Sequence, residues 1–374
     1  MRLGVNVVRL TRPFTGIGRY LECVLDEWSR MDLPFERVRL YSPTPLDPRR
    51  VIFPLERFET VIGGPKGPDP YWEARFLTPR ASEMDVLFAP SYTLPLRYPG
   101  AAIVTNQGPA QNHPLTYQWW RAQAYEQLYR YSARHADRVL TCSKAVKRRM
   151  VEVYGVPASK VTVVWNAASR LFAPVRDEAE LTRVRRRYTG GDEPFTLFLG
   201  KLARRHSIPE LIRAFAQARA HSPRHRLVIA GPNYLGLDVA GLARSAGVAD
   251  AVIHDPFVEH AEIPALMSAA EEMVFPVTHA EGFGIPVIEA MACGTPVLSV
   301  AQGAVPEFAT DASLLVESSS TEDLAAGLSR LITDADLRRS LSERGMRRAA
   351  TITWRFTAER ILEDLTRVAR ARAA

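Results

Sequence analysis

The sequence predicts an α/β protein of two doubly wound parallel sheets, one over residues 1–172 and one over residues 173–355. Three observations lead there. The chain has 374 residues, more than one hydrophobic core usually organises. Short apolar runs alternate with amphipathic helical stretches along its length, the pattern of β–α–β units. The alternation pauses at a linker near residue 171 and then restarts.

Residues 3–10 read as the first strand, 11–18 as a loop and 19–30 as a helix. A strand follows at 38–41. Residues 42–50 and 63–70, rich in Pro and Gly, read as loops. The runs 86–89 and 103–105 have the composition of buried strands. Residues 117–136 form a helix carrying Tyr117, Trp119, Trp120, Tyr125, Tyr129 and Tyr131. Such a stripe marks a core face, with sugar stacking, or contact with a membrane surface beside Arg121, Arg130 and Arg134, as the alternatives. A strand at 138–142 leads through the capping residue Ser143 into a helix at 144–154, and 161–165 is the last strand of this half. A charged helix at 178–188 joins the halves.

In the second half, strands are expected at 195–199, 226–230, 251–254, 273–276 and 296–300. Helices are expected at 209–220, 237–246, 262–270, 285–292, 321–333 and 336–351. A last helix at 356–373 follows, and residues 356–374 are expected to cross back onto the first domain. Right-handed crossovers gather the strand C-termini of each sheet on one edge, where ligands bind, and two such edges facing each other would make a cleft.

Composition narrows the class. Hydrophobic residues are 47% and charged residues 24%, ordinary for a globular chain and unlike a disordered one. The cysteines, Cys23, Cys142 and Cys293, are odd in number and lack CxxC spacing, which speaks against a disulfide framework or zinc site and for a cytoplasmic setting. No apolar run reaches transmembrane length and the N-terminus reads as a strand, so membrane contact is expected only at the surface. Residues 1–175 carry 24 Lys and Arg against 15 Asp and Glu (+9), and the remainder 24 against 26 (−2). The basic half suits an anionic partner such as a membrane surface or a lipid-linked phosphate, or is a solvated face. Nucleic-acid binding has no motif beyond this charge.

The most informative stretch is AEGFGIPVIEAMACGTPVLSV, residues 280–300. Gly282 and Gly284 allow a sharp turn and close approach to a ligand. The helix starting at Ile285 would offer its first amides to a diphosphate, with Pro286 suited to the first turn. Glu281 before the helix and Glu289 inside it would face the same crevice, each carboxylate accepting from vicinal hydroxyls. A capped helix with two solvated glutamates is the bland alternative. The stretch GKLARRHS, residues 200–207, gathers Lys201, Arg204, Arg205 and His206 after a strand, cations that could stabilise a departing diphosphate. TGIG at 15–18 follows the first strand but is not followed by the last glycine of a GxGxxG motif, which argues against a dinucleotide-dependent dehydrogenase. Lys201 is the only lysine after Lys160, which leaves little for a phosphorylase cofactor.

With these motifs the chain resembles glycosyltransferase family 4, with bacterial mannosyltransferase-like members among those it looks like. The resemblance runs nearly end to end through TGIGRY, HADRVLTCS, GVPASKVTVVWN, GKLARRHSIPELIRAFA, EGFGIPVIEAMACGTPVLS, Pro306-Glu307 and Thr353-Trp354. It implies the GT-B fold and a metal-independent, cofactor-free, retaining transfer of a hexose from a nucleoside diphosphate sugar, with GDP-mannose guessed as donor from the members it looks like and UDP- and dTDP-sugars as the alternatives. The acceptor would be a saccharide, lipid-linked or a glycosylated small molecule. Donor contacts are implied for Gly16, Gly18, Lys201, Arg205, His206, Glu281, Gly282, Phe283, Gly284, Ile285 and Glu289, with Glu281, Lys201 and Arg205 in the catalytic step. Gly231, Phe257 and Val258 are assigned to the base; Asn106, Gln107 and His113 to the acceptor side. Departures motivate a second expectation, a catalytically weak subunit: His206 stands where relatives carry Lys, and Asn106-Gln107 where many carry His-Asp.

Overall fold

The computed structural model describes residues 1–12, 16–108, 119–277 and 282–373. The chain divides into two compact units, Met1–Asn166 with Thr353–Ala374, and Ala167–Ile352. The linker that the sequence places near 172 thus falls inside the second unit's span.

In the first unit the strands are β1 (Arg2–Asn6), β2 (Arg37–Ser42), β3 (Glu59–Ile62), β4 (Val86–Ala89), β5 (Ala102–Asn106), β6 (Arg138–Thr141) and β7 (Val161–Val163). They form one sheet in the order β3-β2-β1-β4-β5-β6-β7 with parallel pairing throughout, Val5 lying opposite Leu40 on one side and Phe88 on the other. The central strands are buried on both faces, which is why they read as continuous apolar runs. Helices α1 (Gly16–Ser29), α2 (Asp69–Trp72), α3 (Trp119–His135) and α4 (Lys144–Glu152) connect them.

Four sequence expectations need correction here. The strand drawn to residue 10 stops at Asn6, because the Asn6 Oδ1 accepts from the Val8 N–H at 3.1 Å and the chain enters a 3₁₀ turn over Val8–Thr11. The helix drawn from 19 begins at Gly16, since glycines in a first turn carry no hydrophobic signal. The strand β3, a half-exposed edge strand, was not foreseen. Neither was the helical connector after it: α2, a π-helical turn over Glu73–Leu77 and a 3₁₀ stretch over Thr78–Glu83, whose start lies in a segment read as loop.

The aromatic helix α3 is mixed. Tyr129 is buried and stacks on Tyr92 at 4.9 Å, whereas Tyr125 is half-buried and Tyr131 lies on His135 at 3.9 Å. The return helix, Trp354–Ala373, belongs to this unit. Its Ala358 carbonyl accepts from Trp28 Nε1, the edge of Trp354 meets Tyr20 at 5.9 Å, and the buried Asp364 pairs with Arg138 of β6 at 3.1 Å.

The second unit holds β8 (Phe195–Leu199), β9 (Arg226–Ala230), β10 (Val252–Asp255), β11 (Glu272–Phe275), β12 (Val297–Val300) and β13 (Leu314–Val316), parallel in the order β10-β9-β8-β11-β12-β13. Its helices are α5 (Glu178–Thr189), α6 (Ile208–Ala218), α7 (Val239–Ser245), α8 (Ile263–Ala269), α9 (Ile285–Ala292), α10 (Val305–Ala309), α11 (Thr321–Thr333) and α12 (Ala335–Thr351). Local chemistry sets their ends: Asp177 caps α5 and Gly190 ends it at φ 80°, while Ser320 and Asp334 cap α11 and α12 through the amides of Asp323 and Leu337. Phe198, Leu211, Phe215, Leu227, Ile229, Leu298 and Leu328 form the core on one side of this sheet. The short elements α10 and β13 were too brief to register as periodic segments.

In each sheet the crossovers diverge at one place. From β1 the chain goes to β2 on one side, and from β4 to β5 on the other; from β8 it goes to β9, and from β11 to β12. The gaps between β1 and β4 and between β8 and β11 are therefore the switch points, where ligands settle against open α/β sheets.

Candidate functional site

The two most informative motifs lie at the carboxyl edge of the second sheet, on the two strands that flank its switch point. Residues 200–207 leave β8, and Gly282 to Glu289 follow β11. They meet on Phe275, the last residue of β11. The His206 ring lies 5.6 Å from Phe275 and 5.6 Å from Phe198, and a Cβ on Gly284 would sit 3.5 Å from Phe275.

The chain after β8 has little conformational choice. Gly200 N–H donates to Ala230 O at 2.9 Å, and Leu202 N–H to Pro232 O at 2.9 Å, tying this segment to the end of β9. Gly231 approaches so closely that a Cβ would stand 2.2 Å from the Gly200 carbonyl oxygen, with φ at 136°. Only glycine fits there. That close approach accounts for Gly231 structurally, independent of the base-binding role assigned from the sequence. Arg204–His206 then forms a 3₁₀ turn ending at Ser207, whose φ is 43°. His206 is 3% exposed, with Nδ1 2.7 Å from the Lys201 carbonyl. Its ring is packed inward and braces the turn, while Lys201 and Arg205 are half-buried at the sheet edge and Arg204 is exposed.

On the other flank, Gly284 adopts φ 88° and ψ 53° as the N-cap of α9, and among the described residues no side chain caps that helix. Ile285 and Pro286 open it, so the first amides of α9 follow directly from the glycine turn. The α9 boundaries match the expected span. Phe283 is 2% exposed and its ring stacks on Phe308 at 4.5 Å, so only its backbone is available to a ligand. Glu289 is 1% exposed, which excludes the reading of it as a solvated surface carboxylate. Burial, with the Glu289 charge adding to it, pushes the Cys293 thiol one turn later up to about 12, so that cysteine is inert. Glu281 lies outside the described residues.

Phe257 is 66% exposed and Val258 half-buried just beyond β10, two strands from the switch point. In the first unit, Gly16 is exposed and Gly18 buried, both in the first turn of α1 rather than in the loop expected there. Asn106 ends β5 and accepts from the Gly108 N–H at 3.1 Å; Gln107 Oε1 accepts from Asn166 Nδ2 at 3.3 Å. His113 lies outside the described residues.

Sequence reasoning missed one polar cluster, that of Asn6, Glu73, Ser91 and Thr93 at the first sheet's switch point. The available signal was a lone glutamate between Trp72 and Phe76 in an otherwise apolar connector.

Comparison with known proteins places this geometry. Residues 15–169 match the family model described as Glycosyltransferase Family 4, and residues 183–348 that described as Glycosyl transferases group 1. Among curated relatives, a D-inositol 3-phosphate glycosyltransferase of Kineococcus radiotolerans is 31% identical over 64% of this chain and 59% of its own length. The alpha-D-kanosaminyltransferase of Streptomyces kanamyceticus is 27% identical over 57% of this chain and 56% of its own. The matched stretch thus spans less than two thirds of these relatives. Among solved structures, sucrose-phosphate synthase of Thermosynechococcus elongatus superposes with a TM-score of 0.78 at 20% identity, covering 99% of each chain. HepE of Anabaena, solved with UDP and glucose, superposes with a TM-score of 0.76 at 16% identity, covering 98% of this chain and 99% of that one. Fold and motifs together define a GT-B protein, two Rossmann-like domains with a glycine turn and a helix start at the second domain's switch point. Between them the two family models cover most of the chain: its first part matches Glycosyltransferase Family 4 and its second the group 1 glycosyl transferases.

Proposed function

We propose that the protein transfers a hexose from a nucleoside diphosphate sugar to a hydroxyl of a saccharide or polyol acceptor, free or lipid-linked, with retention and without a metal. One observation carries the reading: two segments far apart in sequence, residues 200–207 and 282–289, converge on Phe275 at the switch point of one sheet. A diphosphate there would meet the amides at the start of α9 from one side and Lys201 and Arg205 from the other. Glu281 would hold the transferred sugar, and the buried Glu289 the ribose hydroxyls.

GDP-mannose is the donor guessed from the family resemblance, with UDP- and dTDP-sugars as alternatives; HepE, solved with UDP and with UDP-glucose, supports testing the uridine nucleotides beside it. The relatives named as D-inositol 3-phosphate glycosyltransferases make a phosphorylated polyol a first acceptor to try. Among the described residues no helix is long and apolar enough to cross a membrane. Contact with a membrane's inner face through the basic first half remains part of the proposal.

A thermal-shift panel of GDP, UDP, dTDP and ADP with their hexose conjugates, first with EDTA and then with Mg²⁺, tests the reading. A ligand that binds the native state alone raises the melting temperature by mass action. One base should give a clear shift in EDTA, and Glu289→Ala should weaken it. No shift with any nucleotide would favour a catalytically weak subunit instead.

A further inference from the structure

The switch point of the first sheet carries a polar cluster that none of the donor motifs explains. Asn6 closes β1, fully buried, and its Nδ2 donates to Glu73 Oε1 at 2.8 Å. Thr93, in the segment leaving β4, donates its hydroxyl to the same oxygen at 2.8 Å. Both donors address one oxygen. Glu73 Oε2 has no hydrogen-bond partner among the described residues, although the residue is 0% exposed. Ser91, two residues before Thr93, is 1% exposed and its Oγ is likewise without a partner among them.

The backbone around these groups is held in place against preference. Tyr92, between Ser91 and Thr93, adopts φ 70°, a conformation that is costly for a residue other than glycine. It is fixed by its N–H to Thr105 O at 3.1 Å and by the stack of its ring on Tyr129. Glu73 itself opens the π-helical turn, an irregularity common at functional sites. Leaving buried polar atoms unpaired also costs free energy that an apolar residue at position 73 would avoid. A strained residue and two orphaned polar atoms thus lie on the segments that flank the sheet's switch point.

We propose that Glu73 Oε2 and Ser91 Oγ form a hydroxyl-recognising subsite for a polyol, seated at the β1–β4 switch point. Burial holds the proton on Glu73, pushing its carboxyl up to about 8, with the Asp69 charge adding to the effect and Arg9 opposing it. A neutral carboxyl offers one acceptor oxygen, taken by Asn6 and Thr93, and one O–H donor, which needs an acceptor. Ser91 offers a second hydroxyl. Together they suit the hydroxyls of a sugar or cyclitol, which accept and donate. Of the described cations nearby, Arg9 and Arg12 both pair with Asp69, at 3.6 and 2.5 Å, which favours a neutral hydroxyl over a charged group at these two atoms. That this polyol is the acceptor of transfer rests on the transferase reading; its binding does not.

The test is binding of D-inositol 3-phosphate, myo-inositol and D-glucose to the full chain by calorimetry, without donor. At least one should bind. Glu73→Gln keeps an accepting oxygen and supplies an N–H donor, so it should stay within about threefold. Glu73→Leu should weaken binding by about tenfold or more, and Ser91→Ala, which should fold normally, by about three- to tenfold. Nucleotide binding, measured in parallel, should be unchanged in all three. If none of the polyols binds the parent chain, or if Ser91→Ala and Glu73→Leu bind as the parent does, the subsite is wrong. Polyol binding without nucleotide binding would leave this subsite standing and remove the donor reading.

Discussion

The switch point between β8 and β11 and its counterpart between β1 and β4 arise from the same reversal of crossovers, yet their residues differ in kind. The second sheet offers glycine turns, the uncapped start of α9 and two half-buried cations, Lys201 and Arg205. The first offers neutral groups: the Asn6 amide, the hydroxyls of Ser91 and Thr93, and a carboxyl that burial keeps protonated. Backbone amides and cations suit phosphate oxygens; hydroxyls and a carboxylic acid suit sugar hydroxyls. The winding of a sheet therefore chooses where a ligand sits, and the side chains at its edge choose the class of ligand.

The sharpest test of that division is Glu281→Ala. It should lower transfer by about 10²- to 10³-fold, the scale of losing a group that acts in the transition state, while melting and polyol binding to the first unit stay unchanged. Turnover equal to the parent's would remove the second sheet's crevice from the chemistry. Gly231→Ala strikes the same edge through the fold. Its methyl must displace the Gly200 carbonyl from a 2.2 Å contact at a φ of 136°, a loss expected to exceed about 3 kcal/mol. Hydrogen exchange should show protection lost in β8, β9 and β10 and kept in β1, β4 and β5. Loss spread evenly over both sheets would mean that the two edges are not separate devices.

The asymmetry between the two crevices also explains what the sequence revealed. The second sheet's crevice was legible because it is built from backbone: glycines at fixed spacing before a helix leave a linear signature, and the glycine turn at Gly284 and the span of α9 could be read directly. The alternation of strands and helices gave both sheets and the return helix for the same reason, since apolar periodicity is local. The β1–β4 crevice was illegible because it is assembled across distance. Asn6, Glu73 and Thr93 lie 67 and 20 residues apart along the chain, and nothing local distinguishes them from isolated polar residues. His206 shows what a basic run does not reveal: Phe198 and Phe275 pack against its ring, so it is buried at the sheet edge while Lys201 and Arg205 beside it are half-buried.

An effect that shows only as pH is varied separates the two regions as well. The Glu73 carboxyl is raised from 4.5 to about 8 by burial, so between those values the folded chain holds a proton that the unfolded chain has released. Stability contributed by this group is complete below pH 4.5 and is lost as pH rises through 8, by roughly 3–5 kcal/mol in total. Glu22, pushed up to about 7 by burial, acts in the same direction, so the comparison must be with Glu73→Gln and not with theory. Glu73→Gln should melt higher than the parent at pH 9, with the gap closing towards pH 4.5. An identical pH profile for the two chains would show that Glu73 is ionised in the fold, and would turn the first crevice into an acidic one.

The smallest expected effect lies farthest from either switch point. Phe257 is exposed just beyond β10, which is two strands from β8, about 10 Å at ordinary strand spacing. A diphosphate at the start of α9 with its base against Phe257 would span that distance along the sheet edge. The ring is largely exposed, so Phe257→Ala should change stability by no more than about 0.5 kcal/mol. Stacking of an aromatic side chain on a base is expected to contribute about 0.5–1.5 kcal/mol beyond its burial, so nucleotide affinity should fall about two- to tenfold. Inorganic pyrophosphate, which has no base, should bind the variant and the parent equally. A loss shared by nucleotide and pyrophosphate would place Phe257 beside the phosphates. No loss for either would put the base elsewhere on the edge, leaving Gly200, Lys201 and the α9 amides as the part of the second crevice that its geometry alone defines.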